Sequence, residues 1–140
     1  MPTKPERVLV DTSVAVATML GDHEAHTTTL AQLMRVRAGL AGHAWFETYS
    51  VLTRLPPPQR RSSTDVSDAL QRSFPETCWL PEDAMRQLAA RIADLGIAGG
   101  AVYDALVGAT ALAHSMSLLT RDRRALGTYG ALGVDVRLIP

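Results

Sequence analysis

The chain has 140 residues, of which 46% are hydrophobic and 5% aromatic, and its 14 basic side chains balance 14 acidic ones. This length and composition suit one globular domain, spanning residues 1–140, with a single core. No apolar run reaches the roughly 20 residues that cross a bilayer, and residues 1–7 lack the core of a secretory signal. We therefore expect a cytoplasmic protein that does not bind membranes. Cys78 is the only cysteine, which excludes an intrachain disulfide.

The first clear structural signal is the run Val-Leu-Val at residues 8–10. It is continuously apolar rather than alternating, which is typical of a strand buried on both faces of a parallel sheet. We predict strands at residues 8–10, 39–44, 77–80, 118–120 and 134–139, of which the second is weak and the last alternates like an edge strand. We predict helices at residues 12–20, 23–38, 45–55, 62–73, 81–95 and 101–114, with a short helix before Gly133.

Strands separated by helices indicate an α/β fold. We expect three layers, α/β/α, with a mainly parallel central sheet of about five strands. In such sheets, ligands collect at the carboxyl ends of the strands.

Four acidic residues lie where they can meet at that edge. Asp11 and Asp122 directly follow two predicted strands, whereas Glu47 and Asp104 lie in the first turns of predicted helices. From Asp104 the helix descends by about 15 Å, and the next strand climbs back by about 16 Å. Asp122 therefore returns to the level of Asp104.

An acid in the first turn of a helix has an ordinary structural role, because it complements the helix dipole by about 0.3–1 kcal/mol. That role explains any one of the four acids, but it does not explain four at one edge. Clustered carboxylates repel one another, and a bound cation removes that cost. Oxygen ligands without cysteine favour Mg²⁺ or Mn²⁺.

A magnesium or manganese ion among carboxylates is typical of phosphodiester chemistry, in which it activates water and neutralises charge. Arg121, Arg123 and Arg124 flank Asp122. Two interpretations of these arginines remain open, namely contacts to the phosphates of a substrate and an ordinary solvated turn. His43 precedes Glu47 in the chain and is a weaker candidate for the same edge.

Several segments together resemble the PIN-domain ribonucleases, and most of all the VapC toxins of type II toxin–antitoxin pairs, which are abundant in mycobacteria. They are Val-Leu-Val-Asp-Thr-Ser at residues 8–13, Glu47 on a helix, Tyr-Asp-Ala-Leu-Val-Gly-Ala-Thr-Ala at residues 103–111, and Leu-Leu-Thr-Arg-Asp at residues 118–122. The resemblance covers nearly the whole chain and implies a PIN-like fold.

The resemblance also implies an activity and partners. The activity is Mg²⁺- or Mn²⁺-dependent cleavage of RNA, and the partners are a second copy of the chain and a VapB-type antitoxin that blocks the site in a hetero-oligomer. Asp11 and Asp104 match the main metal ligands of the family, and Glu47 and Asp122 match its second and fourth acids. The hydroxyl positions that support the site are matched by Thr12 and Thr120.

Two other functions compete with this one. A module that keeps the fold and binds RNA or protein without cutting has no need of four mutually repelling acids. A phosphoryl-aspartate protein also carries an aspartate after its first strand, but a phosphatase of that kind needs a second acid at the position of Ser13. A receiver domain needs a late lysine, and none follows Lys4.

Overall fold

Four parallel strands form one sheet in the computed structural model, which describes residues 3–140. In chain order they are β1 (Arg7–Val10), β2 (Arg37–Leu40), β3 (Ser117–Thr120) and β4 (Val136–Leu138). Their order in the sheet is β2-β1-β3-β4, so β4 is an edge strand, as its alternating pattern predicts. The α/β fold with a parallel sheet is confirmed, with four strands where about five were expected.

The core is built around β1. Val8, Leu9 and Val10 are completely buried, because β2 and β3 pair with β1 on either side and helices cover the sheet. This burial on both faces explains why the run is continuously apolar.

Seven α-helices and one short 3-10 helix connect and cover the strands in the described part of the chain. They are α1 (Thr12–Met19), α2 (His26–Leu33), α3 (His43–Thr53), α4 (Ser63–Ser73), α5 (Glu82–Arg91), α6 (Ala101–Ala113), a 3-10 helix (Arg123–Ala125) and α7 (Leu126–Leu132). Ser62 caps α4 by accepting a hydrogen bond from the Asp65 amide. Across residues 3–140, none of the helices has the length and apolar character needed to span a bilayer.

The predicted helix at residues 23–38 is too long at both ends, because the observed helix spans only His26–Leu33. The helix α2 ends at Leu33, and β2 begins at Arg37, two residues before the strand predicted at residues 39–44. The reason is nonlocal: β2 pairs along its whole length with β1, and Arg37 also reaches Glu76. These contacts override the weak local preference of the segment.

The predicted strand at residues 77–80 is also wrong. This segment makes one parallel bridge, between Cys78 and Ala41, the residue directly after β2, and does not continue as a ladder. The hydroxyl of Thr77 accepts the hydrogen bond of the Leu40 amide at 3.0 Å. A side chain thus occupies a position that a backbone carbonyl would hold in a fifth strand.

Candidate active site

The four predicted acids line one cavity at the carboxyl edge of the sheet. Its volume is about 230 Å³. The residues that line it are Asp11, Thr12, Ser13, Glu47, Asp104, Val107, Asp122 and Tyr129. The chain order α6-β3 thus returns Asp122 to the level of Asp104, as the lengths of the two elements predict.

The Asp11 carboxylate accepts more hydrogen bonds than the single one that an N-cap of a helix requires. Asp11 follows β1 and is 5% exposed. Its Oδ1 atom accepts hydrogen bonds from the Ser13 hydroxyl at 2.5 Å and the Val14 amide at 3.3 Å. Its Oδ2 atom accepts from the hydroxyls of Thr120 at 2.5 Å and Tyr129 at 2.9 Å. These donors fix the orientation of the carboxylate.

Two of these donors, Ser13 and Tyr129, were not among the predicted site residues. The Ser13 hydroxyl also accepts from the Arg121 amide at 2.9 Å, which links the ends of β1 and β3. Burial and the neighbouring Asp11 carboxylate raise the pKa of the Tyr129 hydroxyl, which therefore stays a donor. A tyrosine within a short, mainly apolar helix was the sequence signal for this role.

Glu47 lies in α3 with its side chain 39% exposed. Partial burial raises the pKa of the Glu47 carboxyl, and the charges of Asp104 and Asp11 raise it further, whereas His43 lowers it. The Thr12 side chain, close to the Glu47 carboxyl, also lowers this pKa. The contact lacks regular hydrogen-bond geometry, and the buried Oγ1 atom of Thr12 has no other partner within residues 3–140. Glu47 is therefore near the other acids without being fixed by them.

Asp104 and Asp122 face each other from α6 and from the end of β3. Burial raises the pKa of the Asp104 carboxyl, and the charges of Asp122 and Asp11 add to this effect, partly offset by Arg124. Asp122 caps the 3-10 helix by accepting from the Arg124 amide at 3.0 Å. Its own amide donates to the Thr120 hydroxyl at 3.0 Å. Thr120 therefore touches two of the four acids.

His43 lies beside the cavity, at the start of α3. Its Nε2 atom is 3.7 Å from Oε1 of Glu47, and its ring stacks on Tyr103 with a centroid distance of 5.2 Å. His43, the weaker candidate from the sequence analysis, is thus a neighbour of Glu47, although it does not line the carboxylate cavity.

The three predicted phosphate contacts lie on the outer side of Asp122. Arg123 is exposed, and Arg124 is 93% exposed with its Nε atom 3.4 Å from Oδ1 of Asp122. Arg121 donates from Nε to the carbonyl of Pro140 at 3.1 Å. Their contact with RNA remains a prediction.

A hard divalent cation fits the chemistry of this cavity. All candidate ligands are carboxylate or hydroxyl oxygens, and a cation would offset the burial and repulsion that raise the pKa of Glu47 and Asp104. Within residues 3–140, however, no three His, Cys, Asp or Glu side chains are close enough together to hold one ion as they stand. Coordination by three of the acids therefore requires side-chain movement.

Comparison with known proteins places this chain in a family. The sequence model of the PIN domain matches residues 8–130, and the chain belongs to the PIN-domain family. Within it, the chain is similar to two curated VapC proteins of Mycobacterium tuberculosis. It is 43% identical over 127 residues to ribonuclease VapC27, covering 91% of this chain and 93% of the relative. It is 46% identical over 131 residues to ribonuclease VapC40, covering 92% and 96%.

Solved structures share the same fold at low identity. The structure of FitAB bound to an IR36 DNA fragment has a TM-score of 0.70 and 22% identity, covering 94% of both chains. FitAcB from Neisseria gonorrhoeae has a TM-score of 0.68 and 18% identity, covering 92% and 95%. VapBC2 from Rickettsia felis, bound to a DNA fragment from its promoter, has a TM-score of 0.68 and 12% identity, covering 96% and 99%. These likenesses support the fold alone.

Proposed function

We propose that the chain, as one PIN domain over residues 1–140, is the toxin of a type II toxin–antitoxin pair and a metal-dependent endoribonuclease. The observation that carries the proposal is the cavity shared by Asp11, Glu47, Asp104 and Asp122. The curated relatives at 43% and 46% identity are named ribonucleases, which supports RNA as the substrate.

The four carboxylates would hold Mg²⁺, with Mn²⁺ as the alternative ion. When bound, such an ion lowers the pKa of a water molecule and neutralises charge on the phosphate. Hydrogen bonds from Thr120 and Tyr129 hold the Asp11 carboxylate in a fixed orientation at the cavity. Glu47, which is the least constrained of the acids, completes the ligand set or orients the attacking water.

A cleavage assay on purified protein tests this proposal. We expect cutting of a total-RNA pool with Mg²⁺ or Mn²⁺, none with EDTA, and a loss of about 100-fold or more in Asp11→Asn. Asparagine is preferred to alanine because alanine would leave the buried Tyr129 hydroxyl without its acceptor. The exposed Asp94, outside the cavity, provides the control variant Asp94→Asn.

If folded wild-type protein, free of antitoxin, cut no RNA with either metal, the nuclease proposal would be wrong. The runner-up, a PIN-fold module that binds RNA or protein without cutting, would then take its place. Cutting that survives in EDTA would contradict the metal dependence alone.

A homodimer is the second part of the proposal, and an exposed apolar patch supports it. Phe46, Trp79 and Met85 are 57%, 51% and 47% exposed, and the rings of Phe46 and Trp79 lie 5.7 Å apart. We expect sedimentation equilibrium to give twice the mass of the chain, and Trp79→Ser to shift the protein toward the monomer. Met34, which follows α2 and is 79% exposed, provides the control Met34→Ser. A monomer mass for wild type would refute the dimer.

The third part is a VapB-type antitoxin, which would form a hetero-oligomer with the chain and close the site. The support is indirect: VapBC2 and FitAB, whose chains share this fold, are described as complexes bound to DNA fragments. Co-purification with the product of a neighbouring gene, followed by inhibition of cleavage, would test it. A neighbouring product that neither binds nor inhibits would contradict it.

A further inference from the structure

A second cavity runs along α3 and meets the carboxylate cavity at Glu47. Its volume is about 280 Å³, and its lining consists of His43, Phe46, Glu47, Ser50, Val51 and Arg54. Because Glu47 lines both cavities, an extended polymeric ligand that reaches the carboxylates can continue into this groove without leaving the protein surface. We call these lining residues the α3 groove.

The far end of the α3 groove is basic. Glu47, Ser50 and Arg54 are spaced i, i+3 and i+7, so they share one face of the helix, and Arg54 lies about 10 Å along the axis from Glu47. Arg54 is exposed, and its guanidinium forms no ion pair with any residue that the structure describes. Arg60 donates from Nε to the Leu55 carbonyl at 2.7 Å, which holds a second guanidinium at this end.

This arrangement fits a polyanion that must approach a negative site. Carboxylates repel phosphates, so a strand placed over them needs cations on the flanks. Arg121, Arg123 and Arg124 provide cations beyond Asp122. On the side of Glu47, Arg54 at the end of the α3 groove and Arg60 next to it provide them. Arginine suits this task because its planar group donates two parallel hydrogen bonds to a phosphate.

We propose that the α3 groove binds the RNA strand on one side of the cleavage point, with Arg54 and Arg60 contacting backbone phosphates. This inference rests on the proposed ribonuclease function and names a binding subsite for its substrate. The contacts are to phosphate and not to bases, so they set affinity and register rather than sequence preference.

The test is binding of a fluorescein-labelled single-stranded RNA of mixed sequence, in EDTA, over a series of salt concentrations. We expect Arg54→Gln to weaken binding about five- to tenfold at low salt. The slope of log K against log salt should fall by about 0.7, as for one lost phosphate contact to a single strand. Arg54→Lys should keep the slope, because it keeps the charge.

Arg35→Gln is the matched control. Arg35 is an exposed arginine just before β2, at the opposite edge of the sheet from the carboxylates. Its replacement should leave affinity and slope unchanged. The slope also separates the subsite from a structural role of Arg54, because a cation at the end of a helix stabilises the helix dipole without binding RNA.

The subsite would be refuted if Arg54→Gln bound RNA with the affinity and slope of wild type, or if wild type did not bind RNA at low salt. Cleavage is scored separately with Mg²⁺ and Mn²⁺. If wild type cuts RNA and Arg54→Gln binds RNA as wild type does, the groove proposal is wrong and the nuclease proposal stands. If wild type binds RNA through Arg54 but does not cut it, the nuclease proposal is wrong and the groove proposal stands.

Discussion

Asp104→Asn is expected to lower RNA cleavage by about 100- to 1,000-fold and, in metal-free protein, to raise the melting temperature. The loss of activity follows from removing one of four acids at the proposed metal centre. The gain in stability follows because burial and the charges of Asp122 and Asp11 disfavour the ionised Asp104 carboxyl, as its raised pKa records. In a domain of this size, each change of about 1 kcal/mol in the free energy of unfolding shifts the melting temperature by roughly 3 °C.

The pH dependence of this gain is a sharper test. An acid whose pKa is raised in the folded state binds more protons folded than unfolded, so its ionisation destabilises the fold as pH rises through that pKa. The advantage of Asp104→Asn over wild type should therefore be largest at neutral pH. It should shrink as pH falls through the raised pKa of Asp104 toward its ordinary value of 3.8.

Urea unfolding of both proteins in EDTA, at a series of pH values from 7 down to about 4, measures the effect. Asp94→Asn, which changes an exposed aspartate outside the cavity, is the control and should show no such trend. Unchanged cleavage in Asp104→Asn would defeat the site assignment. A variant less stable than wild type at pH 7 would show that repulsion among the acids is not what limits stability here.

Gly39→Ala is expected to destabilise the protein by about 3 kcal/mol or more, a large part of the total stability of an ordinary domain. Gly39 is buried in β2, and a Cβ atom there would overlap the backbone carbonyl of Glu76 and the amide nitrogen of Thr77. The backbone cannot swing aside as a flexible side chain can, so the strand or the neighbouring loop must shift. Chemical unfolding, or yield of soluble protein, would measure the loss.

Gly127→Ala is the control for this prediction. Gly127 lies in α7, and no atom outside its local backbone lies within 4 Å of the Cβ position. Alanine is the better helix former by about 1 kcal/mol, so we expect unchanged or slightly higher stability. If Gly39→Ala were as stable as Gly127→Ala, the close approach of the two backbones would be wrong.

The elements that the sequence predicts well are those whose pattern reflects local burial. Residues 8–10 are apolar without a break because β1 is covered on both faces, and this signal does not depend on which elements do the covering. The helix α6 and the strand β3 are found within one residue of their predicted bounds. The positions of Asp11, Asp104 and Asp122 follow from these elements.

The elements predicted incorrectly are those defined by contacts distant in sequence. The segment Arg-Ala-Gly-Leu of β2 has little strand preference of its own, and it is a strand because β1 pairs with it and Glu76 packs on Gly39. Residues 77–80 look like a strand, but the hydroxyl of Thr77 takes the hydrogen bond of the Leu40 amide. Neither fact has a local signature.

The sequence alone determined the fold class, the four acids that line the cavity and the resemblance to the PIN-domain family. The tertiary structure decided how those acids are held. Tyr129 reaches Asp11 across 118 positions of the chain, and Ser13 and Thr120 join the ends of two strands. The α3 groove likewise exists only because folding places one face of a helix beside the carboxyl edge of the sheet. Periodicity reports which residues are buried, whereas the direction of a buried polar side chain depends on neighbours that folding brings together.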